Sequence, residues 1–259
     1  MDSSAHKFYP VHGFDSRELL ETYFSNKQEM GFLDDTMKFP MECLHRAFSD
    51  GHIKGDLLID ISIGSIIHHL YTASGYFKEI LVLKCSEQCI MELNKWINTR
   101  TGAFDWSHIM TYIKCLEGNG DLCQDKDITL KTTITKTVKC DFDKENLTDP
   151  EVLPPADCVI SVVLLELISK DQDDYIRNFR NFTKLLKPEG HLLIIGVLNA
   201  SFVTIGPDRV HILKYNENFV RKVLADEGFI MDDCAVQKRT SVSDLTDFES
   251  AIFIMAHRQ

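Results

Sequence analysis

The chain has 259 residues, 44% hydrophobic and 26% charged, with 13 Gly and 7 Pro; this near-average composition excludes collagen, a coiled coil and bulk disorder. It suffices for one large domain, or for a domain with an appended lobe. A formal charge of −11, from 28 Lys+Arg against 39 Asp+Glu, speaks against nucleic acid as a partner, because binding to a polyphosphate backbone depends on clustered basic residues.

No apolar run approaches the roughly 20 residues of a membrane span, and the first residues lack a basic stretch leading into an apolar one. A cytoplasmic protein without a membrane partner is expected. Eight cysteines form no CxxC pair, and Cys85 with Cys89 lacks the second pair that tetrahedral zinc needs, so reduced thiols and no metal are expected.

Residues 14–30 carry Asp15 or Ser16 as an N-cap and Leu19, Leu20, Tyr23 and Phe24 on one stripe, which predicts an amphipathic helix. A second helix is predicted over 34–48, stopped by Gly51. GDLLIDISIG, 55–64, reads as a strand buried on both faces. Alternation follows: helix 66–74, strand 79–85, helices 86–98 and 106–117, a polar strand 128–139, strand 157–166, helix 172–186 and strand 191–198. The tail offers helix 216–226 and strand 250–257, and the polar segment 118–127 is linker-like. Strands separated by helices predict a doubly wound, mostly parallel α/β sheet. Ligands of such sheets bind beyond the carboxyl ends of the strands, where strand order reverses. That places residues 60–65, 84–89, 141–142, 162–166 and 196–201 around the crevice.

GDLLIDISIGS, LNKWINTRTGAFDW, CLEGN, VKCD, LPPADCVIS, LLKPEGHLLI and ADEGF occur in an order and spacing that resembles the nicotinamide, phenylethanolamine and indolethylamine N-methyltransferases, from Phe14 to Arg258. The resemblance implies a class I methyltransferase domain over 55–259, an N-terminal helical lid over 1–54, S-adenosylmethionine as cofactor, and a small amine or pyridine nitrogen as acceptor. A monomer is expected.

Several positions depart from the family pattern. The first-strand loop of the family, Asp-Ile-Gly-Ser-Gly-Pro, is matched by Asp60, Ile61, Ser62, Ile63, Gly64 and Ser65, so a glycine has become Ser62 and Ile63 brings a β-branched side chain. If that glycine used a positive φ, Ser62 would cost about 1 to 2 kcal/mol. The family's second-strand Asp, which accepts from both ribose hydroxyls, is matched by Lys84, and its ribose asparagine by Cys89. An ammonium has no acceptor; two lost charge-assisted bonds at about 1.5 to 3 kcal/mol each would weaken binding, and repulsion of the sulfonium adds about 2 kcal/mol. Asp141 and Phe142 match the adenine site, and Val162 a Thr against the cofactor. Tyr23 matches one lid tyrosine, Leu19 and Phe24 its neighbours, and His68 a further Tyr. Glu166 matches an acceptor-side carboxylate and is the catalytic candidate, whereas Gly196 and Val197 stand where nicotinamide-type members place an Asp.

The plainer readings make Glu166 a strand-end carboxylate on a nearby amide, Asp60 a buried acceptor for loop N–H groups, Tyr23 part of an apolar stripe, His68 and His69 satisfied or exposed histidines, Trp96 and Trp106 core anchors, and Lys84 a surface charge. Beside a working methyltransferase stand two alternatives: a catalytically impaired binding or regulatory protein, and a site retuned to another adenine nucleotide through Lys84.

Overall fold

The computed structural model describes residues 7–9, 15–26, 30–118 and 126–259. Five parallel strands are built from the apolar runs: β1 (Gly55–Asp60), β2 (Phe77–Lys84), β3 (Ile134–Lys139), β4 (Ala156–Val162) and β5 (Leu186–Leu198). β1, β2 and β4 lie inside the sheet, and Leu58, Ile59, Val82, Leu83, Val159 and Ile160 have no solvent exposure, as continuous β-branched and leucine runs require. Two antiparallel strands, β8 (Phe229–Lys238) and β9 (Ser250–Arg258), complete the order β3-β2-β1-β4-β5-β9-β8. Strand order reverses between β1 and β4, which puts the crevice at the ends of β1, β2 and β4. A separate hairpin pairs β6 (Phe202–Ile205) with β7 (Asp208–His211) around Gly206, at φ +58°. Lys7 runs alongside β7, its N–H donating to Arg209 O at 3.0 Å and its carbonyl accepting from His211 N–H at 2.7 Å.

Helix α1 (Ser16–Phe24) begins at Asp15, whose Oδ1 accepts from the Arg17 and Glu18 amides at 2.7 and 3.4 Å, and it buries the predicted stripe. The helix predicted over 34–48 is α3 (Phe39–Ser49) entered through a π-helical turn at Asp34–Lys38, and a short α2 (Met30–Leu33) precedes that turn. Gly51, at φ +72°, follows α3. α3 packs against α4 (His68–Ala73) and β9, buries Met41 and Leu44, and stacks Phe48 on Tyr76. Helices α5 (Glu87–Ile97), α9 (Gln172–Thr183) and α10 (Glu217–Asp226) start at the side-chain caps Ser86, Asp171 and Asn216. α6 (Ser107–Glu117) ends at Gly118, at φ +69°. The predicted linker and Cys123 fall mostly or wholly within 119–125, outside the described residues; the other seven cysteines are free thiols. Trp96 and Trp106 are buried. Among the described residues no helix is long and apolar enough to cross a membrane.

Three segments differ from expectation. The alternation over 128–138 conceals α7 (Lys126–Thr133), held by Lys131 on Asp127 at 2.5 Å and by the Tyr71 hydroxyl donating to Asp127 at 2.8 Å, before β3 starts. The strand predicted over 157–166 stops at Val162, because Val163 sits at φ +50° and the short α8 (Leu165–Ile168) follows. A β-branched residue in the left-handed region carries about 1 to 3 kcal/mol of strain. The expectation missed β6, β7 and β8; β8 is half exposed along its length and lacks an apolar run.

Candidate functional site

The loop after β1 is organised around Asp60, which is fully buried at the strand's end. Its Oδ1 accepts from Ser62 Oγ at 2.5 Å and pairs with His69 Nε2 at 2.7 Å; its Oδ2 faces Lys84 Nζ at 3.3 Å. Lys84 also donates to the Ser62 carbonyl at 3.1 Å, and Ser62 Oγ accepts the Val162 N–H at 3.1 Å. Burial pushes the Asp60 carboxyl up, but Lys84, His69 and the hydrogen bonds from His69 and Ser62 outweigh it and hold the group down, at about 2. The carboxylate is therefore ionised and matched to side-chain donors, not to the loop N–H groups expected. Lys84 is only 2% exposed, so it is not a surface charge, and its ammonium points into the protein rather than toward a ligand phosphate. Ser62 carries no positive φ; the loop's left-handed residue is Gly64, at φ +54°, where the sequence still has glycine. The expected strain at Ser62 is absent, and its hydroxyl ties β1 to β4 instead.

The N-terminal segments close over this loop. A Cβ on Gly64 would lie 2.3 Å from Leu19 Cδ2, which shows how tightly α1 presses on it. Ser16 and Ser65 share a hydroxyl hydrogen bond, and the Gly64 N–H and Cys85 Sγ donate to the Tyr9 hydroxyl at 3.4 and 3.5 Å. Arg17 fastens α1 from outside through Gly102 O at 2.6 Å and Glu92 at 3.0 Å. Cys89 is fully buried in the first turn of α5. His68 is also fully buried, its ring 4.9 Å from that of Phe24 and stacked on Trp106 at 6.4 Å. Burial and the neighbouring His69 push its imidazole well below the usual range, and neither ring nitrogen has a hydrogen-bond partner among the described residues, so it is neither satisfied nor exposed as expected.

Two spaces flank the closed loop. Outside, a cleft of about 700 Å³ runs past Tyr9, Cys85, Gln88, Asp141, Phe142 and Arg177. There Asp141 is exposed, with Oδ1 accepting the Asp143 N–H at 3.0 Å, and Phe142 packs on Phe182. Inside, a cavity of about 80 Å³ is lined by Tyr23, Phe24, Phe32, Ile63, Val162 and Gly196 among others. The Tyr23 hydroxyl donates to Thr204 O at 2.7 Å and packs beside Phe32. Asp35, from the π turn, also lines this cavity, but its carboxylate is fully engaged by the Thr240 and Ser241 amides at 3.0 and 2.9 Å and by the Thr240 hydroxyl at 2.9 Å.

Glu166, the catalytic candidate, stands one residue behind the cavity wall. Its Oε1 accepts the Val197 N–H at 3.1 Å, and burial raises its carboxyl to about 7 despite that bond. A Cβ on Gly196 would lie 2.8 Å from Glu166 Oε1 and 2.6 Å from the Tyr215 hydroxyl. A side chain at that position would require the Glu166 carboxylate and the Tyr215 hydroxyl to move.

The structure thus gathers Asp60, Ser62, Gly64, Lys84 and Cys89 into one buried knot, places Tyr23, Phe24, Ile63 and Val162 around the inner cavity, and leaves Asp141 and Phe142 on the outer cleft. Sequence reasoning missed His69 as the second partner of Asp60, and missed Tyr9 and Asp35 altogether. The doublet His68-His69 on an apolar helix start was the available signal for the first. For S-adenosylmethionine the fit is divided. The outer cleft has room and an exposed carboxylate for an adenine. The ribose and methionine stretch does not fit, because Lys84, Leu19 and Tyr9 fill it.

Against known proteins, the sequence model of the NNMT/PNMT/TEMT family matches residues 4–259. The chain is 32% identical over 245 residues to human nicotinamide N-methyltransferase, covering 95% of this chain and 93% of that one. It is 31% identical over 243 residues to rabbit (Oryctolagus cuniculus) indolethylamine N-methyltransferase, covering 94% and 92%. Among solved structures, the magnesium protoporphyrin IX methyltransferase of Synechocystis with bound SAH superposes with a TM-score of 0.54 at 14% identity, over 94% of this chain and 93% of that chain; this likeness bears on the fold alone. The strand order, the reversal between β1 and β4 and the match over nearly all residues lead to one conclusion: the chain has the class I methyltransferase fold and belongs to the NNMT/PNMT/TEMT family of S-adenosylmethionine-dependent N-methyltransferases.

Proposed function

We propose that this chain methylates a small amine or pyridine-type nitrogen, the chemistry named for its relatives, and that the acceptor is uncharged. The family match over residues 4–259 carries the reaction class. The inner cavity supports the uncharged acceptor: its walls are apolar, and the two nearby carboxylates are engaged, Asp35 by the 240–241 amides and Glu166 by Val197. A cation entering there would lose its hydration without gaining a free counter-ion. Glu166 is a positioning residue in this reading, since it touches the strand end and not the cavity. Residues 1–54 serve as the lid on domain 55–259, and the chain works as a cytosolic monomer.

The test is transfer of a labelled methyl group from S-adenosylmethionine, supplied at millimolar concentration, by the full chain to nicotinamide, phenylethanolamine and an indolethylamine. Product formation proportional to protein concentration, stronger at pH values where the acceptor is neutral, is expected. Folded protein that labels none of the three at millimolar acceptor would sink the reading. One observation favours a second reading, a catalytically impaired binding protein: the donors of Lys84 are spent on Asp60 and Ser62, inside the region where a cofactor would lie.

A further inference from the structure

The crevice at a reversal of strand order is where open α/β sheets bind their ligands, and in this chain the space directly beyond β1, between the outer cleft and the inner cavity, is filled by its own side chains. Its floor is the Asp60 carboxylate, with His69 on one oxygen and Lys84 on the other. Its wall is the Ser62 hydroxyl, which donates to Asp60 and accepts from Val162. Its roof is Leu19 over Gly64 and the Tyr9 ring, whose hydroxyl receives the Gly64 N–H. That amide belongs to a glycine in the left-handed conformation at a tight turn, the kind of exposed backbone donor a polar ligand uses.

We propose that the chain is its own ligand at this crevice: the Lys84 ammonium and the Tyr9 hydroxyl hold the polar positions that a sugar and an amino-acid arm would take, so the protein is self-closed against cationic sulfonium nucleosides. The proposal rests on the reading that this crevice is the cofactor site, and it concerns how that site is regulated. Two properties support it beyond exclusion by volume. First, the charges of the closure answer one another: among the described residues each Asp60 oxygen has a partner, and the ammonium has a carboxylate and a carbonyl, which leaves His69 Nδ1 as the one ring nitrogen of the knot without a partner. Second, the closure is assembled from three separate parts of the chain. Tyr9 comes from the segment that Lys7 fastens to β7, Leu19 comes from α1, and Lys84 comes from the end of β2. Opening the site therefore requires both withdrawal of the N-terminal segments and separation of an ion pair.

The experiment measures binding of S-adenosylhomocysteine, and separately of S-adenosylmethionine, to the full chain by titration calorimetry. It compares the wild type with Lys84→Asp, Lys84→Asn and Tyr9→Ala, each checked for fold by circular dichroism. Lys84→Asn is the safer variant should two neighbouring buried carboxylates prevent Lys84→Asp from folding. The wild type is expected to bind with Kd above about 1 mM. Each folded variant is expected to tighten S-adenosylhomocysteine at least tenfold, and the Lys84 variants to favour the sulfonium form more than Tyr9→Ala does. Micromolar binding by the wild type overturns the closure while leaving the proposed function standing. Equal, weak binding by all folded chains also overturns it, since these side chains would then not be what excludes the ligand. Tight binding by the variants without methyl transfer supports the closure and counts against the proposed function.

Discussion

Replacing Glu166 by Gln isolates the energetic cost of a buried carboxylate without removing its hydrogen bond, because the amide oxygen can still accept the Val197 N–H. Burial raises the carboxyl from 4.5 to about 7 in the folded chain. At about 1.36 kcal/mol per pKa unit, this difference amounts to ~3 kcal/mol. The folded state holds the proton more tightly than the unfolded one, so the contribution is fully present below about pH 4.5. It is lost as pH rises through about 7 and stays lost above. Gln cannot ionise and escapes this loss. Urea unfolding of both proteins at pH 4.5 and at pH 8 should show the variant gaining on the wild type by about 2 to 3 kcal/mol between the two conditions. Taking the difference between proteins cancels every other titrating group that the two share. A gap that stays constant with pH would refute the assignment of a raised carboxyl to Glu166.

Asp60 titrates in the opposite sense. With its carboxyl held at about 2 against an ordinary 3.8, it contributes ~2 kcal/mol of stability that is present above about pH 4 and lost as pH falls toward 2. Asp60→Asn abolishes that acid dependence and, by leaving Lys84 buried without a counter-ion, costs about 3 to 5 kcal/mol at pH 7; both appear in denaturant melts across pH. Gly64→Ala, at φ +54° and 2.3 Å from Leu19 Cδ2, should destabilise by more than about 2 kcal/mol, with partial recovery in the double variant with Leu19→Ala. Asp35→Ala removes the acceptor of two amides and a hydroxyl, which predicts a loss of about 2 to 4 kcal/mol and faster proteolytic cutting between residues 239 and 249.

Local chemistry was legible in the sequence wherever one residue type settles the backbone. Asp15 as a cap, Gly51 after a helix, and the apolar runs of β1, β2 and β4 fall where the spacing puts them. Pattern failed where two elements share one alternation, as at 126–139, and where a strand is half exposed, as in β8. At the site, the departures from the family pattern were visible one by one, but the relation among them was not. Asp60 and Lys84 end neighbouring strands whose register pairs Asp60 with Val82, so the lysine overshoots by two residues and its long side chain folds back onto the carboxylate. A sequence shows a lost acceptor at position 84; it does not show that the new donor answers the carboxylate on the next strand. His69 and Tyr9 were missed for the same reason, since each acts through a partner dozens of positions away or across a helix start.

The π turn between α2 and α3 has its own consequence for how this chain tolerates change. An ordinary helix advances about 100° per residue, so one surplus residue rotates everything after it by that amount. At the start of the turn Asp35 must face the 240–241 backbone; beyond it Met41, Leu44 and Phe48 must stay buried. The wide turn is the phase correction that lets both orientations coexist on one rod. Deleting a single codon within 36–38 would leave a better helix and a worse protein, because one of the two faces would swing into water.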